Sequence, residues 1–369
     1  MNRTDGTFHI AVLPGDGIGV EVIAAALEVL GVLERRIGGF RLEYSEHACG
    51  AHCFAATGTA LPEATIKACE RADAMLFGAG GWPDIRNADG TELAPQLDLR
   101  NHFELYAGVR PIRPLRGLPT PLASARAAEI DLVLVREQTE GLFFARGRGD
   151  VRGDDEVRDT MSITRAGTAR VADFALRLAE RRKQRGRPGR VTCVDKANVF
   201  ASMAFFRRVF EERARNFPGV TADAAYVDAT ALNLVMKPWT FDVMVTENMF
   251  GDILSDLTAA LVGGMGMAPS GDIGDRHALF QPAHGSAPDI VGQGKANPVA
   301  ALLSAAMMLD WLGERHRQPR LVEAAALLER AVQAAFAAGR LLPWEFGGRS
   351  GTREITRAVC DALQTETVA

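Results

Sequence analysis

The sequence predicts an α/β protein built from two layered domains, and three observations support this prediction. Short runs of β-branched and apolar residues alternate with amphipathic helical stretches along most of the chain, which is the pattern of a layered α/β fold. A chain of 369 residues is too long for one ordinary core, so we expect two domains that can be interleaved in sequence. Hydrophobic residues at 47% and charged residues at 24% are typical of a soluble globular chain and exclude a disordered one.

Charge, hydropathy and cysteine content exclude several classes of protein. The formal net charge of −4 argues against a nucleic-acid surface, and the dense basic run over residues 181–190 is interrupted by glycine and proline. No apolar segment reaches the roughly 18 residues of a membrane span, and the N-terminus lacks the layout of a signal peptide, so we expect a cytoplasmic protein. Cys49 and Cys53 have the spacing of a ligand pair, but no second pair completes a zinc site, and reduced thiols are expected.

The first predicted unit consists of a strand, a glycine turn and a helix. The strand covers residues 8–13, the turn covers residues 14–19 and the helix runs to Leu33. Because the glycine spacing differs from GxGxxG, phosphate binding and simple lining of a nucleotide cleft both remain open. A helix over residues 62–70 and a strand over residues 74–77 follow, and that strand ends in a glycine-rich turn.

Three arginines lie at or near the ends of the next elements. Arg100 lies in a helix predicted from residue 95 to about residue 106, Arg110 lies in a strand over residues 106–112, and Arg136 ends a strand over residues 130–135. Arginine donates two parallel hydrogen bonds to a carboxylate, so such a trio can hold a dicarboxylate. Ordinary surface ion pairing is the alternative from these residues alone.

The middle of the chain continues the alternation after a polar excursion over residues 146–161. Helices are predicted over residues 167–182 and 200–216, and strands over residues 191–195 and 224–227. Lys196 and Asn198 follow the first of these strands, and Asp228 follows the second. Asp228 can supply an oxygen ligand to a hard cation, and Lys196 can act as a base whose pKa a nearby cation lowers. A helix cap or a salt bridge is the alternative for each.

A pair of aspartates stands out beyond the apolar run over residues 241–245. Gly251 is predicted to break that run, and the following helix carries Asp252 and Asp256 on one face. A divalent cation bound through oxygen would compensate their repulsion, and a solvent-facing pair is the alternative. Residues 263–274 are predicted as a glycine-rich connection, residues 280–290 as a loop rich in backbone donors, and residues 297–311 and 321–338 as core-facing helices.

Six motifs, in this order, resemble those of the isopropylmalate/isocitrate/tartrate group of β-decarboxylating dehydrogenases. They are residues 13–19 (LPGDGIG), the three arginines, residues 194–198 (VDKAN), residues 226–228 (YVD), residues 248–256 (NMFGDILSD) and residues 284–290 (HGSAPDI). The resemblance covers nearly the whole chain. It implies an isopropylmalate dehydrogenase-like fold rather than the common Rossmann fold.

The resemblance also implies how the domains and chains are arranged. Residues 1–106 and 264–369 would form a first domain with most of the NAD site, and residues 107–263 a second domain with dimer-interface helices and an intersubunit arm at about 142–163. Homodimers would share active sites, with Lys196 and Asp228 of one chain beside Asp252 and Asp256 of the other. The apolar positions of the helix that carries the two aspartates would face away from them: Ile253, Leu254, Leu257 and Leu261. Neither nucleic acid nor membrane is an expected partner.

The resemblance assigns chemical roles to these residues. Asp228, Asp252 and Asp256 are expected to hold Mg²⁺ or Mn²⁺, and Lys196 to take the proton of the substrate C2 hydroxyl, directly or through water. Arg100, Arg110 and Arg136 are expected to hold the carboxylates of a 2-hydroxy dicarboxylic acid, which is oxidised and decarboxylated. An acid at Asp289 would bind the adenosine ribose and repel a 2′-phosphate, so NAD is the expected cofactor. The full set of expected cofactor contacts is Ile18, Asn198, His284, Gly285, Ser286, Ala287, Asp289, Ile290 and Asn297.

The sequence departs from the family pattern at three positions. Phe143 stands at the catalytic position where the family has a tyrosine that protonates the enolate carbon, and a phenyl ring donates no proton. Gln281 replaces a frequent glutamate, and Val20 replaces a proline. A catalytically impaired regulatory subunit is therefore an alternative to an enzyme.

The substrate pocket is expected just before Arg100. Leu93 and Leu97 suit an alkyl group at C3 of the substrate, as in 3-isopropylmalate, the preferred substrate and an intermediate of leucine biosynthesis. Ala94 lacks the hydroxyl that isocitrate users have at that position. Gln96 and the turn over residues 81–84 suit something smaller or more polar, so tartrate or D-malate is the alternative.

Overall fold

The computed structural model describes residues 6–366 of the chain. The first five residues, on which the expected absence of a signal peptide depends in part, and the last three, at the end of the first predicted domain, lie outside the described residues. Across residues 6–366, no helix is long and apolar enough to cross a membrane.

Ten strands of the described chain form one mixed sheet. The described residues contain twelve strands in all. In chain order they are β1 (Thr7–Gly15), β2 (Arg41–Glu46), β3 (Ala74–Ala79), β4 (Ala107–Ile112), β5 (Leu132–Glu137), β6 (Asp150–Arg152), β7 (Glu156–Arg158), β8 (Arg190–Asp195), β9 (Thr221–Tyr226), β10 (Val243–Thr246), β11 (Pro269–Ile273) and β12 (Ala278–Pro282). The order across the large sheet is β2-β1-β3-β12-β11-β4-β5-β10-β8-β9, and β6 pairs with β7 separately. The sheet is antiparallel where β11 pairs with β12 and β4, and where β4 pairs with β5; its other pairs are parallel.

Helices cover the sheet and bury its apolar strands. They are α1 (Ile18–Ile37), α2 (Ala51–Thr57), α3 (Glu63–Arg71), α4 (Pro95–His102), α5 (Arg165–Gln184), α6 (Ala201–Ala214), α7 (Val227–Met236), α8 (Asn248–Ala260), α9 (Val299–His316), α10 (Pro319–Ala337) and α11 (Thr352–Thr365). Every residue of β3, β5 and β10 is buried, as expected for strands with both faces covered. The α/β class is confirmed. The strand order also puts all strands of the predicted first domain on one half of the sheet, with the boundary between β11 and β4.

The prediction that residues 263–274 form a connection was wrong. Residues 269–273 form β11, a fully buried strand at the centre of the sheet, and residues 278–282 form β12. Pro269 is tolerated because it is the first residue of β11, and Gly271 packs under Phe280, where an added Cβ would lie 3.0 Å from the ring. Local composition indicated a loop, whereas pairing with distant strands made these residues strands.

Several other elements differ from prediction. Strand β2 and helices α2, α7 and α11 were not predicted, and α4 ends at His102 rather than near residue 106. The polar excursion contains the exposed hairpin of β6 and β7, closed at its base by backbone hydrogen bonds between Gly141 and Ser162. The five cysteines are free thiols.

Candidate active site

The predicted arginine trio comes together at the centre of the sheet. In the antiparallel register, Gly108 lies opposite both Arg136 of β5 and Asp272 of β11, so these residues share one face. Arg110 is two residues further along β4 and therefore lies on the same face. Arg100 reaches the cluster from α4. All three guanidinium-bearing side chains are buried, so the alternative of surface ion pairing is wrong.

A buried carboxylate, Asp272, organises two of the arginines. Its Oδ2 atom accepts a hydrogen bond from Arg100 Nε at 2.8 Å, and its Oδ1 atom accepts from both terminal nitrogens of Arg110 at 3.1 Å. Gln281 Nε2 donates to Oδ2 at 2.9 Å. Burial alone would raise the pKa of Asp272, but Arg100 and Arg110 hold it below its usual value. Gln281 on β12 lacks the negative charge of the family's glutamate, and Asp272 on the neighbouring strand β11 carries a carboxylate that contacts it.

Sequence reasoning missed Asp272. The signal available was an acid within the short, otherwise uncharged segment over residues 268–273. That signal required the segment to be identified as a strand, because only a central strand places the carboxylate beside the arginines. Among the described residues, the terminal nitrogens of Arg100 make no hydrogen bond, so they remain available for a ligand.

Arg136 is held on three sides. Its Nε donates to Asn248 Oδ1 at 2.9 Å, one terminal nitrogen donates to Asp252, and its guanidinium lies 4.9 Å from the centre of the Phe143 ring. Burial, reinforced by Arg100, lowers the pKa of Arg136 to about 10. The position expected to carry a phenolic hydroxyl therefore lies in the arginine cluster but contributes only a ring face.

The aspartate-bearing helix begins earlier than predicted. Helix α8 starts at Asn248, and the buried Glu247 caps it by accepting hydrogen bonds from the backbone of Met249 at 3.0 Å and Phe250 at 2.7 Å. Gly251 does not precede the helix but lies inside its first turn. A Cβ at Gly251 would lie 2.5 Å from Cγ of Arg136, so glycine lets the arginine pack against the helix.

Asp252 and Asp256 have the properties of cation ligands. Burial and the neighbouring carboxylate of Asp252 together raise the pKa of Asp256. The side chain of Asp252 is half exposed, so the pair is accessible from solvent. Two adjacent hard oxygen donors whose mutual repulsion is only partly compensated fit a divalent cation such as Mg²⁺ or Mn²⁺.

Lys196 and Asp228 form a pair at the ends of neighbouring strands. Strand β8 ends at Asp195, a buried carboxylate held by Arg207 at 2.8 Å through both of its oxygens. Lys196 follows at once, and its Nζ atom lies 2.6 Å from Oδ1 of Asp228, in the first turn of α7. This hydrogen bond lowers the pKa of Asp228.

The three aspartates do not form one group within a single chain. Across residues 6–366, no set of three or more histidine, cysteine, aspartate or glutamate side chains is arranged to hold a metal ion. Asp228, Asp252 and Asp256 are therefore not assembled as one ligand set within the described residues of a single chain. Their joint role remains a prediction.

The side chains predicted to contact the C3 substituent differ in chemistry. Leu93 is buried, and Leu97 is half-buried. Gln96 packs against Gly80, and its buried Oε1 atom has no hydrogen-bond partner among the described residues. The region therefore combines an apolar surface with one unsatisfied acceptor.

The glycine turn after β1 packs against the loop predicted to bind the cofactor. Ile18 donates its backbone N–H to Ser286 at 2.9 Å. Gly17 has φ +58, and a Cβ there would lie 2.1 Å from the same carbonyl oxygen. Asp16 is buried and accepts hydrogen bonds from the backbone of Ala51 at 2.7 Å and Gly81 at 2.9 Å. The turn thus packs against the loop that contains Ser286 and, through Asp16, against the segments at Ala51 and Gly81. These contacts within the chain favour a turn that lines a cleft over a turn that cradles a phosphate.

The remaining cofactor candidates have varied surroundings. The Nε2 atom of His284 is buried without a partner among the described residues, and burial lowers the pKa of this histidine. Asp289 is exposed, as is Asn198, in the turn beyond Lys196. Asn297 donates to Glu345 and accepts from the backbone of Val299, so its amide is engaged within the fold. The other candidates share the loop with His284 and Asp289: Gly285, Ser286, Ala287 and Ile290.

The chain is similar in sequence and in fold to known dehydrogenases. A sequence profile of the isocitrate/isopropylmalate dehydrogenase family matches residues 9–359. The 3-isopropylmalate dehydrogenase of Moorella thermoacetica is 42% identical over 342 residues, which are 91% of this chain and 92% of the relative. The isocitrate/homoisocitrate dehydrogenase of Thermus thermophilus is 42% identical over 360 residues, with coverage of 97% and 99%. The crystal structure of an isocitrate dehydrogenase from Methylococcus capsulatus has a TM-score of 0.84 and 33% identity, over 97% of this chain and 99% of that one.

Proposed function

This chain belongs to the isocitrate/isopropylmalate dehydrogenase family, and we propose that it catalyses NAD- and divalent-metal-dependent oxidative decarboxylation of a malate-type 2-hydroxy dicarboxylic acid. Membership makes it a decarboxylating dehydrogenase that acts on a CH–OH group. The observation that carries the substrate class is the buried cluster of Arg100, Arg110 and Arg136, in which Asp272 bonds the first two arginines and Asp252 bonds the third. Three guanidinium groups with the carboxylates of Asp272 and Asp252 leave a net charge of about +1, which would rise to about +2 with Asp252 engaged by a cation, and two substrate carboxylates would balance that charge.

The chain's own residues have separable tasks. The arginines bind and orient the substrate carboxylates, and burial excludes water that would compete for their donors. Lys196 Nζ, as the neutral amine, takes the proton of the C2 hydroxyl and becomes an ammonium. Asp228 holds the ammonium in place in the free chain, at 2.6 Å. A base oriented in this way needs little rearrangement when the substrate arrives.

The metal proposal rests on the donor chemistry of the aspartates. Asp252 and Asp256 of one chain, with Asp228 of another, would hold Mg²⁺ or Mn²⁺. When bound, such an ion supplies Lewis acidity that lowers the pKa of the C2 hydroxyl and stabilises the charge released by decarboxylation. Asp252, which pairs with Arg136 in the free chain, would hold the ion instead of the arginine, and the Arg136 guanidinium would then have a donor available for the substrate.

NAD is the proposed cofactor. The loop over residues 284–290 would line the site, with the exposed Asp289 next to the adenosine ribose. An acid there hydrogen-bonds the ribose diol and repels a 2′-phosphate. The buried, unpartnered Nε2 of His284 supports a ligand near this loop, because buried polar atoms are rarely left unsatisfied.

A homodimer is the proposed assembly. Residues of α7 and α8 expose large apolar side chains, among them Leu232, Val235, Met236 and Ile253. A patch of this kind is typical of a protein interface. Of the four apolar positions expected on this helix, Ile253 is exposed and available to an interface, whereas Leu254 and Leu261 are buried in the chain's own core and Leu257 packs against it.

The preferred substrate is 3-isopropylmalate, and a polar alternative has an observation of its own. Leu93 and Leu97 offer apolar surface to an isopropyl group. The unpartnered Oε1 of Gln96 instead favours a substrate with a hydroxyl donor at C3, as in tartrate, since a site with an unsatisfied acceptor discriminates strongly against a ligand without the donor.

The test is a substrate panel that measures two products at once. NADH and CO₂ are followed with 3-isopropylmalate, D-malate, tartrate and isocitrate, in the presence of Mg²⁺ or Mn²⁺. We expect the highest kcat/KM with 3-isopropylmalate. A Gln96→Leu variant should lose activity selectively with tartrate if that is the true substrate. Binding of NAD without turnover of any acid would instead favour a regulatory subunit.

A further inference from the structure

The carboxylate of Asp272 is placed where it can control the geometry of the arginine cluster. It lies on β11, which is hydrogen-bonded to β12 on one side and β4 on the other, so its backbone is fixed. Both of its oxygens are occupied, by Arg110 on one and by Arg100 and Gln281 on the other. No other described side chain bonds both arginines.

Stability alone does not explain this arrangement. Burying a carboxylate and two guanidinium groups carries a large desolvation cost, and replacing such a cluster by packed apolar side chains is often neutral or stabilising. What the cluster provides is orientation, because a guanidinium that donates through Nε or through one edge has its plane fixed. Arg100 donates through Nε, which leaves its terminal nitrogens without a described partner. Arg110 donates through both terminal nitrogens, which leaves Nε.

We propose that Asp272 is a positioning residue for substrate binding, which orients Arg100 and Arg110 so that their remaining N–H groups meet the substrate carboxylates. Gln281 acts behind it by fixing the carboxylate rotamer. This proposal rests on the proposed function, since it assumes a dicarboxylate substrate. It assigns Asp272 no contact with the substrate and no proton transfer.

The proposal predicts a rescue by moving the carboxylate within the cluster. In Asp272→Asn the side chain keeps its shape but loses its charge, and the arginines lose a charged partner. The double variant Asp272→Asn with Gln281→Glu puts a carboxylate back on the neighbouring strand, where Gln281 Nε2 lies 2.9 Å from the Asp272 oxygen that Arg100 also contacts. A role in overall stability alone would lower the melting temperature and the active fraction without a selective change in substrate affinity.

The test measures D-malate binding by calorimetry in the presence of Mg²⁺, and KM and kcat where turnover occurs. Asp272→Asn should weaken binding and raise KM about tenfold or more, with kcat changed less than about threefold, since the residue acts on binding. The double variant should recover most of that loss. Asp242→Asn is the matched control, because Asp242 is also buried and paired with an arginine, Arg182, at 2.6 Å. Asp242 directly precedes β10, whereas Arg136 of the cluster pairs with Thr246 at the other end of that strand. This control should lower the melting temperature and leave D-malate affinity unchanged.

The outcomes separate this proposal from the proposed function. Unchanged D-malate affinity in Asp272→Asn, or a folded double variant without recovery, would overturn the positioning role. If Asp272→Asn does not fold, Gln281→Leu takes its place, with about threefold weaker binding expected because the carboxylate loses its fixed rotamer; unchanged affinity there would overturn the proposal. A wild-type chain that binds D-malate but oxidises no acid refutes the proposed function, while the binding comparison still decides the role of Asp272. If the wild-type chain binds no dicarboxylate, both are refuted.

Discussion

Lys196 Nζ lies 2.6 Å from Asp228 Oδ1, which joins the proposed base and a proposed metal ligand within one chain. The two residues follow adjacent parallel strands, β8 and β9, and the register places Asp195 opposite Tyr226. Side chains just beyond such strand ends meet at the edge of the sheet where α/β folds bind ligands. The contact therefore follows from topology, and it would form half of the proposed catalytic site.

The other half is the aspartate pair of α8, and a single substitution should disable it. Asp252→Asn removes one proposed cation ligand and the charged partner of Arg136. We expect activity to fall by about a hundredfold or more, with folding largely intact because the side chain is half exposed. Activity is measured across a Mn²⁺ titration, alongside circular dichroism. Activity near the wild-type level would refute the ligand role of Asp252.

Phe143 is expected to limit turnover. Phe143→Tyr keeps the ring that lies 4.9 Å from the Arg136 guanidinium and adds a hydroxyl able to protonate the enolate carbon. We expect kcat to rise about tenfold, since a positioned general acid contributes at least that much, while KM changes little. The measurement is steady-state kinetics with CO₂ and NADH recorded together. If neither kcat nor the ratio of the products changes, another group already supplies the proton.

Gly251 should resist substitution for a steric reason. The Cβ of Gly251→Ala would lie 2.5 Å from Cγ of Arg136, so the arginine must move. We expect a loss of about 1–3 kcal/mol in unfolding free energy and a raised substrate KM. Gly31→Ala in α1 is the control, because its nearest contact would be Arg35 at 3.7 Å. That change should be neutral or stabilising by up to about 1 kcal/mol. Equal effects of the two substitutions would contradict the packing argument.

Asp272 should give the protein a pH-dependent share of its stability. Its pKa in the folded chain is held below the value of about 3.9 expected when unfolded. Its ionised form therefore stabilises the folded state above that unfolded value, and this contribution is lost as pH falls through the lower, folded pKa. Denaturant unfolding of wild type and Asp272→Asn at several pH values should show a difference that is constant near neutral pH and shrinks in acid. A difference that grows in acid would contradict this sign.

The sequence predicted the parts of this site that depend on local pattern. Arg100, Arg110 and Arg136 were identified because each lies in or at the end of a periodic element, and the structure brings them together. The motif around Lys196 was found in the same way. Asp252 and Asp256 share a helical face because four residues make about one turn.

Features that depend on distant pairing were not predictable. Asp272 and Gln281 meet because β11 and β12 pair, and their glycine- and proline-containing sequences indicated loops. Helix α8 begins at Asn248, four residues before the predicted start at Asp252, because Glu247 caps it and the helix accommodates Gly251 where Arg136 needs space. Asp228 follows β9 at the edge of the sheet, so its separation from the other two aspartates within one chain depends on strand order, which no local periodicity reveals.

Hybrid dimers test the central claim most directly. Lys196→Ala and Asp252→Asn chains are coexpressed with different tags, and the mixed dimer is purified through both. If each active site combines Lys196 and Asp228 of one chain with Asp252 and Asp256 of the other, one site of the hybrid carries both defects and the other is intact. We predict NADH formation at about half the wild-type rate per dimer, although each parent dimer is inactive. A hybrid no more active than its parents would contradict the shared, metal-dependent site.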